Sequence, residues 1–122
     1  MTAEQWARLS QDVDCGLRRG AWYRTASVSP TEVLLLVGGK QRSFSRETVE
    51  ITTETPSRWT VVAGLSNSRM IPARWSRGYT VCPGCRMRQL PLGRPRVLRC
   101  ERCNGLFEVA WDEGYLAGDH RH

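Results

Sequence analysis

Apolar and polar positions repeat with two different periods along the chain. Thr2-Ala3-Glu4-Gln5 has the form of a capping box, with Thr as N-cap and Gln three residues later. Trp6, Leu9 and Val13 follow at helical spacing, which predicts a short amphipathic helix over residues 3–13, ending before Cys15-Gly16. Its apolar stripe is thin, so such a helix must pack onto something else. From Leu17 the period shortens to two. Trp22 to Val28 is rich in aromatic and β-branched residues, and Ser29-Pro30-Thr31 turns the chain. Glu32 to Val37 is apolar at alternate positions of both parities, the pattern of a strand covered on both faces. Gly38-Gly39 marks a two-residue hairpin, because both positions tolerate positive φ. Gln41–Ser45 returns, Arg46-Glu47-Thr48 fits one helical turn, and Val49–Thr53 and Arg58–Val62 predict two more strands around Pro56.

Short strands, tight turns and about 60 residues point to a small, strongly bent antiparallel barrel. The order over residues 17–63 resembles SH3-like and Tudor-like barrels, including a single turn before the last strand. An open meander packed under the N-terminal helix is the competing arrangement. Residues 64–78 break every periodicity with Ser, Asn, Gly and Pro, as a linker does. The expected organisation is therefore mainly β: a helix and barrel over 1–63, a linker over 64–78, and a further part over 79–122.

Apolar residues make up 40% and charged residues 25% of the 122 positions, with mean hydropathy −0.45, which excludes a disordered chain. The longest apolar run is far too short to span a bilayer, and the first residues carry no secretory pattern, so a cytoplasmic protein without membrane contact is expected. Charge is uneven. Residues 66–102 carry Arg69, Arg74, Arg77, Arg86, Arg88, Arg94, Arg96, Arg99 and Arg102 against Glu101 alone. Such a basic middle attracts nucleic acid or an acidic protein surface, or merely solvates the chain.

Cys82-Pro83-Gly84-Cys85 and Cys100-Glu101-Arg102-Cys103 are two C-x-x-C pairs with 14 residues between them. Each pair forms a tight turn with both sulfurs on one side, and two facing turns offer four thiolates in a tetrahedron, the arrangement that suits Zn²⁺. A redox pair would occur once, beside a helix in a βαβ setting, and a disulfide framework belongs to exported chains. Over residues 79–111 the chain resembles the zinc-ribbon superfamily, on these two knuckles and on the alternating segment Leu106–Trp111, with Phe107, Val109 and Trp111 on one face. The departure is at the residue after each second Cys: ribbons often place Gly there, and this chain has Arg86 and Asn104. The resemblance implies one structural zinc on Cys82, Cys85, Cys100 and Cys103, released with unfolding of 79–111 but not of 1–63. Cys15 reads as a buried thiol, and His120 and His122 as a tail.

No Ser-His-Asp set, paired-carboxylate motif or phosphate-binding loop is present, and a four-Cys metal has no open position, so a non-enzyme without a small-molecule substrate is expected. The expected function is that of a transcription-type accessory module that contacts nucleic acid or a protein such as RNA polymerase through Arg69, Arg74, Trp75, Arg77, Arg86, Arg88, Arg94 and Arg96. Arginine holds phosphates while a ring stacks on a base. Trp75 equally fits a clasp buried between two parts. The alternative is a protein–protein adaptor or structural subunit, because Trp and Arg together are enriched at interface hot spots.

Overall fold

The computed structural model describes residues 4–11, 13, 15–63 and 78–116. Among them are ten strands, one three-residue 3₁₀ turn (Arg46–Thr48) and no α-helix. The strands are β1 (Trp6–Leu9), β2 (Tyr23–Val28), β3 (Glu32–Val37), β4 (Lys40–Ser45), β5 (Val49–Thr52), β6 (Arg58–Ala63), β7 (Gly78–Val81), β8 (Arg88–Gln89), β9 (Val97–Arg99) and β10 (Leu106–Val109). They form two five-stranded sheets, in the orders β4-β3-β2-β1-β5 and β8-β7-β6-β10-β9.

The first sheet is wholly antiparallel, a meander whose fifth strand returns beside the first. Its turns follow the sequence closely. Gly38 and Gly39 take φ of 59° and 81° and join Val37 directly to Lys40 across the hairpin. Ser29 Oγ accepts the amide protons of Thr31 and Glu32, which closes the turn at Pro30. In β3, Val33 and Leu35 are fully buried while Leu36 is 38% exposed, so this apolar strand is completely covered on one face only.

The N-terminal helix is absent. Trp6–Leu9 is instead β1, at the inside of the sheet, pairing with Val49–Thr52 on one edge and with Tyr23 and Arg24 on the other. The spacing of Trp6 and Leu9 fits a helix, but Ala7 and Leu9 also alternate, and both are fully buried. Two flanking strands satisfy the backbone of β1 and cover its apolar face, and this tertiary gain overrides a thin helical stripe. Thr2, the expected cap, lies outside the described residues.

A second difference concerns β6. Arg58–Ala63 is expected from the sequence to complete the barrel over 17–63, yet it is the central strand of the second sheet, antiparallel to β7 and parallel to β10. The first hydrophobic core accordingly draws on both sheets. Leu9, Tyr23, Val33, Leu35 and Phe44 pack in one cluster with Val62, Tyr79 and Val81, and Tyr115 and Leu116 close it. The second core is small: Trp59, Cys82, Cys100 and Val109, with Leu98, Phe107 and Trp111 against them.

Two contacts fix how the sheets meet. Gly20, at φ 85°, brings its backbone against β6 and β7, and a Cβ there would lie 2.7 Å from Val62 Cγ2. Its N–H donates to the Tyr115 hydroxyl at 3.0 Å, which in turn donates to the Leu9 carbonyl at 2.5 Å. The other contact is Arg8, only 4% exposed. Its guanidinium donates to Thr60 Oγ1 at 2.8 Å, to Glu50 at 3.2 Å and to both carboxylate oxygens of Glu113. It lies 4.5 Å from the Trp22 ring centre and 4.3 Å from that of Tyr115. Burial opposes its charge, but the hydrogen bonds from Arg8 to Glu113 and Glu50 outweigh this and raise its pKa.

Arg8→Ala strands two carboxylates and empties the space between the rings. Both carboxylates keep some access to water, so a loss of about 2–3 kcal/mol is expected, against less for Arg8→Met, which refills the space. Urea denaturation measures both, and an Arg8→Ala variant within about 0.5 kcal/mol of the parent would show that this network does not join the sheets.

Candidate metal centre

Two strand ends deliver the four cysteines. β7 runs into Cys82, and the chain turns through Cys85 to β8. β9 runs into Cys100, and the chain turns through Cys103 to β10. The two turns are built alike. Cys82 N–H donates to the Met87 carbonyl at 2.9 Å, as Cys100 N–H does to Gly105 at 2.8 Å. Arg86 N–H donates to the Cys82 carbonyl and Asn104 N–H to the Cys100 carbonyl, both at 3.0 Å. The turns bring all four sulfurs within 4.8 Å of one another.

This donor set fits a tetrahedral metal ion. Sulfurs about 2.3 Å from a central ion form a tetrahedron with edges of about 3.8 Å, and Cys82–Cys103 and Cys85–Cys100 are 3.7 and 3.5 Å apart. Amide hydrogens already point at the sulfurs. Gly84 N–H reaches Cys82 Sγ at 3.3 Å, and Arg102 and Cys103 N–H reach Cys100 Sγ at 3.3 and 3.4 Å. Burial pushes the Cys82 thiol up to about 12. Burial acts in the same direction on Cys100, but the amides of Cys103 and Arg102 outweigh it and bring that thiol down to about 7. Cys85 is raised, again by burial. Four thiolates gathered this closely are held together best by a cation among them, so metal binding at this site would release protons.

The surrounding residues hold this geometry. Trp59, fully buried, packs in the same cluster as Cys82 and Cys100 and donates its indole N–H to the Leu98 carbonyl at 2.8 Å. Gln89 ties the two turns together: its amide donates to the Arg99 carbonyl and accepts from Glu101 N–H, both at 3.0 Å. Neither role is marked by any local motif in the sequence.

The unusual residues after the second cysteines do adopt left-handed backbone, φ 66° at Arg86 and 64° at Asn104. Asn tolerates this conformation, whereas Arg does so at a cost of about 1–2 kcal/mol. Contacts with the first sheet's long loop offset that cost. The Arg86 carbonyl accepts from the Arg18 guanidinium at 2.7 Å, and the Arg86 guanidinium donates to the Trp22 carbonyl at 3.4 Å. The same guanidinium lies 5.1 Å from the Tyr23 ring centre. The first metal turn is thereby fastened to residues 18–23.

The other expected contact residues are divided. Arg69, Arg74, Trp75 and Arg77 lie outside the described residues, as do His120 and His122 and all of the expected linker except Gly78. Arg86 and Arg88 are half-buried, and Arg88 sits 5.9 Å from the Tyr79 ring centre. Arg94 lies over the Trp111 ring at 4.7 Å, and Arg96 is exposed, 3.7 Å from Glu108. Cys15 is half-buried against the first core. Among the described residues, no helix is long and apolar enough to cross a membrane. The chain matches no family model, no curated protein and no solved structure.

Two predictions follow from the centre's construction. Chelation is expected to raise amide exchange in residues 18–23 together with 82–89 and 97–107, while β3 and β4 stay protected. Exchange confined to 79–111 would mean that Arg86 does not couple the turn to the first sheet. Gly105 is the other test, because a Cβ there would lie 2.5 Å from Cε2 of Phe107, a ring packed in the second core. Gly105→Ala is expected to cost about 1–3 kcal/mol by thermal unfolding of the metal-loaded protein, and no loss would show that this ring is free to move.

Proposed function

We propose that this chain is a non-catalytic zinc-ribbon module of transcription type that binds nucleic acid or a machine that handles it. The ion assigned to Cys82, Cys85, Cys100 and Cys103 is a single Zn²⁺, because an all-sulfur tetrahedron is its preferred structural site. When bound, the ion cross-links two turns whose own core is tiny. A tetrahedral metal with four protein sulfurs offers no position to a substrate, so we assign it no reaction. The strand order of the first sheet, with its 3₁₀ turn before β5, supports the SH3-like resemblance, and modules of both kinds recur in nucleic-acid proteins by analogy of fold.

The observation that carries this reading is the distribution of exposed charge. Arg94, Arg96, Arg99 and Arg102 are all exposed within nine residues of the ribbon, and Glu101 and Glu108 are the only acidic residues from 78 to 111. Arg86 and Arg88 are half-buried. We assign the phosphate contacts chiefly to Arg94 and Arg96. One observation favours the adaptor as a second reading: Leu92 is 96% and Leu106 55% exposed, and apolar groups so open gain by docking onto a protein.

Salt dependence separates the two. Each phosphate contact contributes about 0.9 to the slope of log K against log salt on duplex DNA and about 0.7 on single strands. Arg94→Ala with Arg96→Ala is expected to flatten the slope by about 1.4 to 1.8 if both touch phosphates. Zinc-loaded protein that binds neither DNA nor RNA below about 100 µM at physiological salt would overturn the nucleic-acid reading and leave the adaptor.

A further inference from the structure

We infer that the groove between the 90–95 loop and strands β6 and β7 seats an unpaired nucleobase of a single-stranded nucleic acid. This rests on the nucleic-acid reading above and assigns it a place. The groove has a volume of about 410 Å³ and is walled by Val61, Tyr79, Leu90, Pro91 and Trp111, with Arg94 the only charged residue lining it among the described residues. That volume lies within the range of sites that enclose a small organic ligand. Among the described residues no carboxylate lines it, so it favours an anion over a cation. Apolar walls, however, give nothing to a bare phosphate. A flat, weakly polar ring carrying a phosphate meets both conditions.

The groove is also organised before any ligand arrives. The Trp111 indole N–H donates to the Pro95 carbonyl at 2.7 Å, which pins the ring against the base of the loop. Arg94 lies over that ring, and a guanidinium plane is itself a stacking surface for a base. Pro91 and Pro95 restrict the loop at both ends, and Gly93 turns it at φ 72°. A site already ordered loses little freedom when it is filled. The strand entering it must be single, because a paired base presents only its edge to a groove walled by Leu90, Pro91 and Trp111. Arg96, two residues beyond Arg94, is 84% exposed with its guanidinium 3.7 Å from Glu108. Leu92 is not part of the lining, which makes it a control.

The test uses the full zinc-loaded chain with oligo-dT, oligo-U, a blunt DNA duplex and inorganic tripolyphosphate as probes. Single strands are expected to bind more tightly than the duplex and to shift the Trp111 indole N–H resonance, which tripolyphosphate leaves in place. Leu90→Asn is expected to weaken single-strand binding about tenfold or more without altering the salt slope, because stacking releases no counterions. Arg94→Gln should both weaken binding and flatten the slope by about 0.7, whereas Leu92→Asn should change neither. If the duplex binds as tightly as the single strands and Leu90→Asn is silent, the groove is not a base seat although the nucleic-acid reading stands. If no probe containing nucleotides binds, both are overturned together.

Discussion

One buried cation organises the contact between the two halves of this protein. A guanidinium at 4% exposure cannot persist unpaired, since isolated charge in a protein interior costs several kcal/mol. Arg8 therefore requires Glu50 from β5, Thr60 from β6 and Glu113 from the C-terminal segment to be in place at the same time. Trp22 and Tyr115 must bring their rings to it as well. These partners come from four stretches of chain, Glu113 and Tyr115 sharing one. Pairing the terminal nitrogens of one side chain thus ties the crossing of the two sheets to the return of residues 110–116 across them.

The four-cysteine cluster is built into this frame rather than appended to it. β6 supplies Trp59 to the second core and Val62 to the first, so a single strand has one residue beneath the cysteines and another between the sheets. Arg86 makes a second connection. A left-handed arginine is costly where ribbons commonly use glycine, and glycine there would have no side chain with which to reach Trp22 and Tyr23. The position gives up backbone ease and gains a contact between the first metal turn and the first sheet. The geometry of the sulfurs and the packing of the loop at 18–23 are in this way mechanically linked.

How much of this could be read in the sequence depended on whether the signal was local. The cysteine turns were legible because a metal ligand set needs fixed residue types at fixed spacing, and the Gly38-Gly39 hairpin because positive φ selects glycine. Leu106 to Trp111 was legible because alternation over six residues survives in any sheet. The first strand was not, since Trp6, Leu9 and Val13 satisfy a helical period as well as Ala7 and Leu9 satisfy a strand's. Only the neighbours β2 and β5 decide between them, and they are distant in the chain. The sheet membership of β6 was hidden for the same reason, because nothing in Arg58–Ala63 announces a parallel partner 50 residues later. Arg8 falls within the stretch expected as a helix, and no local pattern marks it as buried.

The same distinction bears on the arginines, which the sequence presents as one basic field. Their positions show three uses. Arg8 is a buried cross-brace, Arg86 is a clamp on a metal turn, and Arg94, Arg96, Arg99 and Arg102 are open to solvent. What the first two share is planarity. Arg8 lies over Trp22 and Tyr115, Arg86 over Tyr23, and Arg42 over Phe44 in the same way. A lysine keeps the charge at such a site but loses the flat face and the fork of donors, so these positions demand arginine specifically. A chain with seventeen arginines and one lysine is then explained in part by its own architecture. The positive charge left exposed for a partner is thus less than the seventeen arginines suggest, and Arg94, over Trp111, borders the groove that this ring lines.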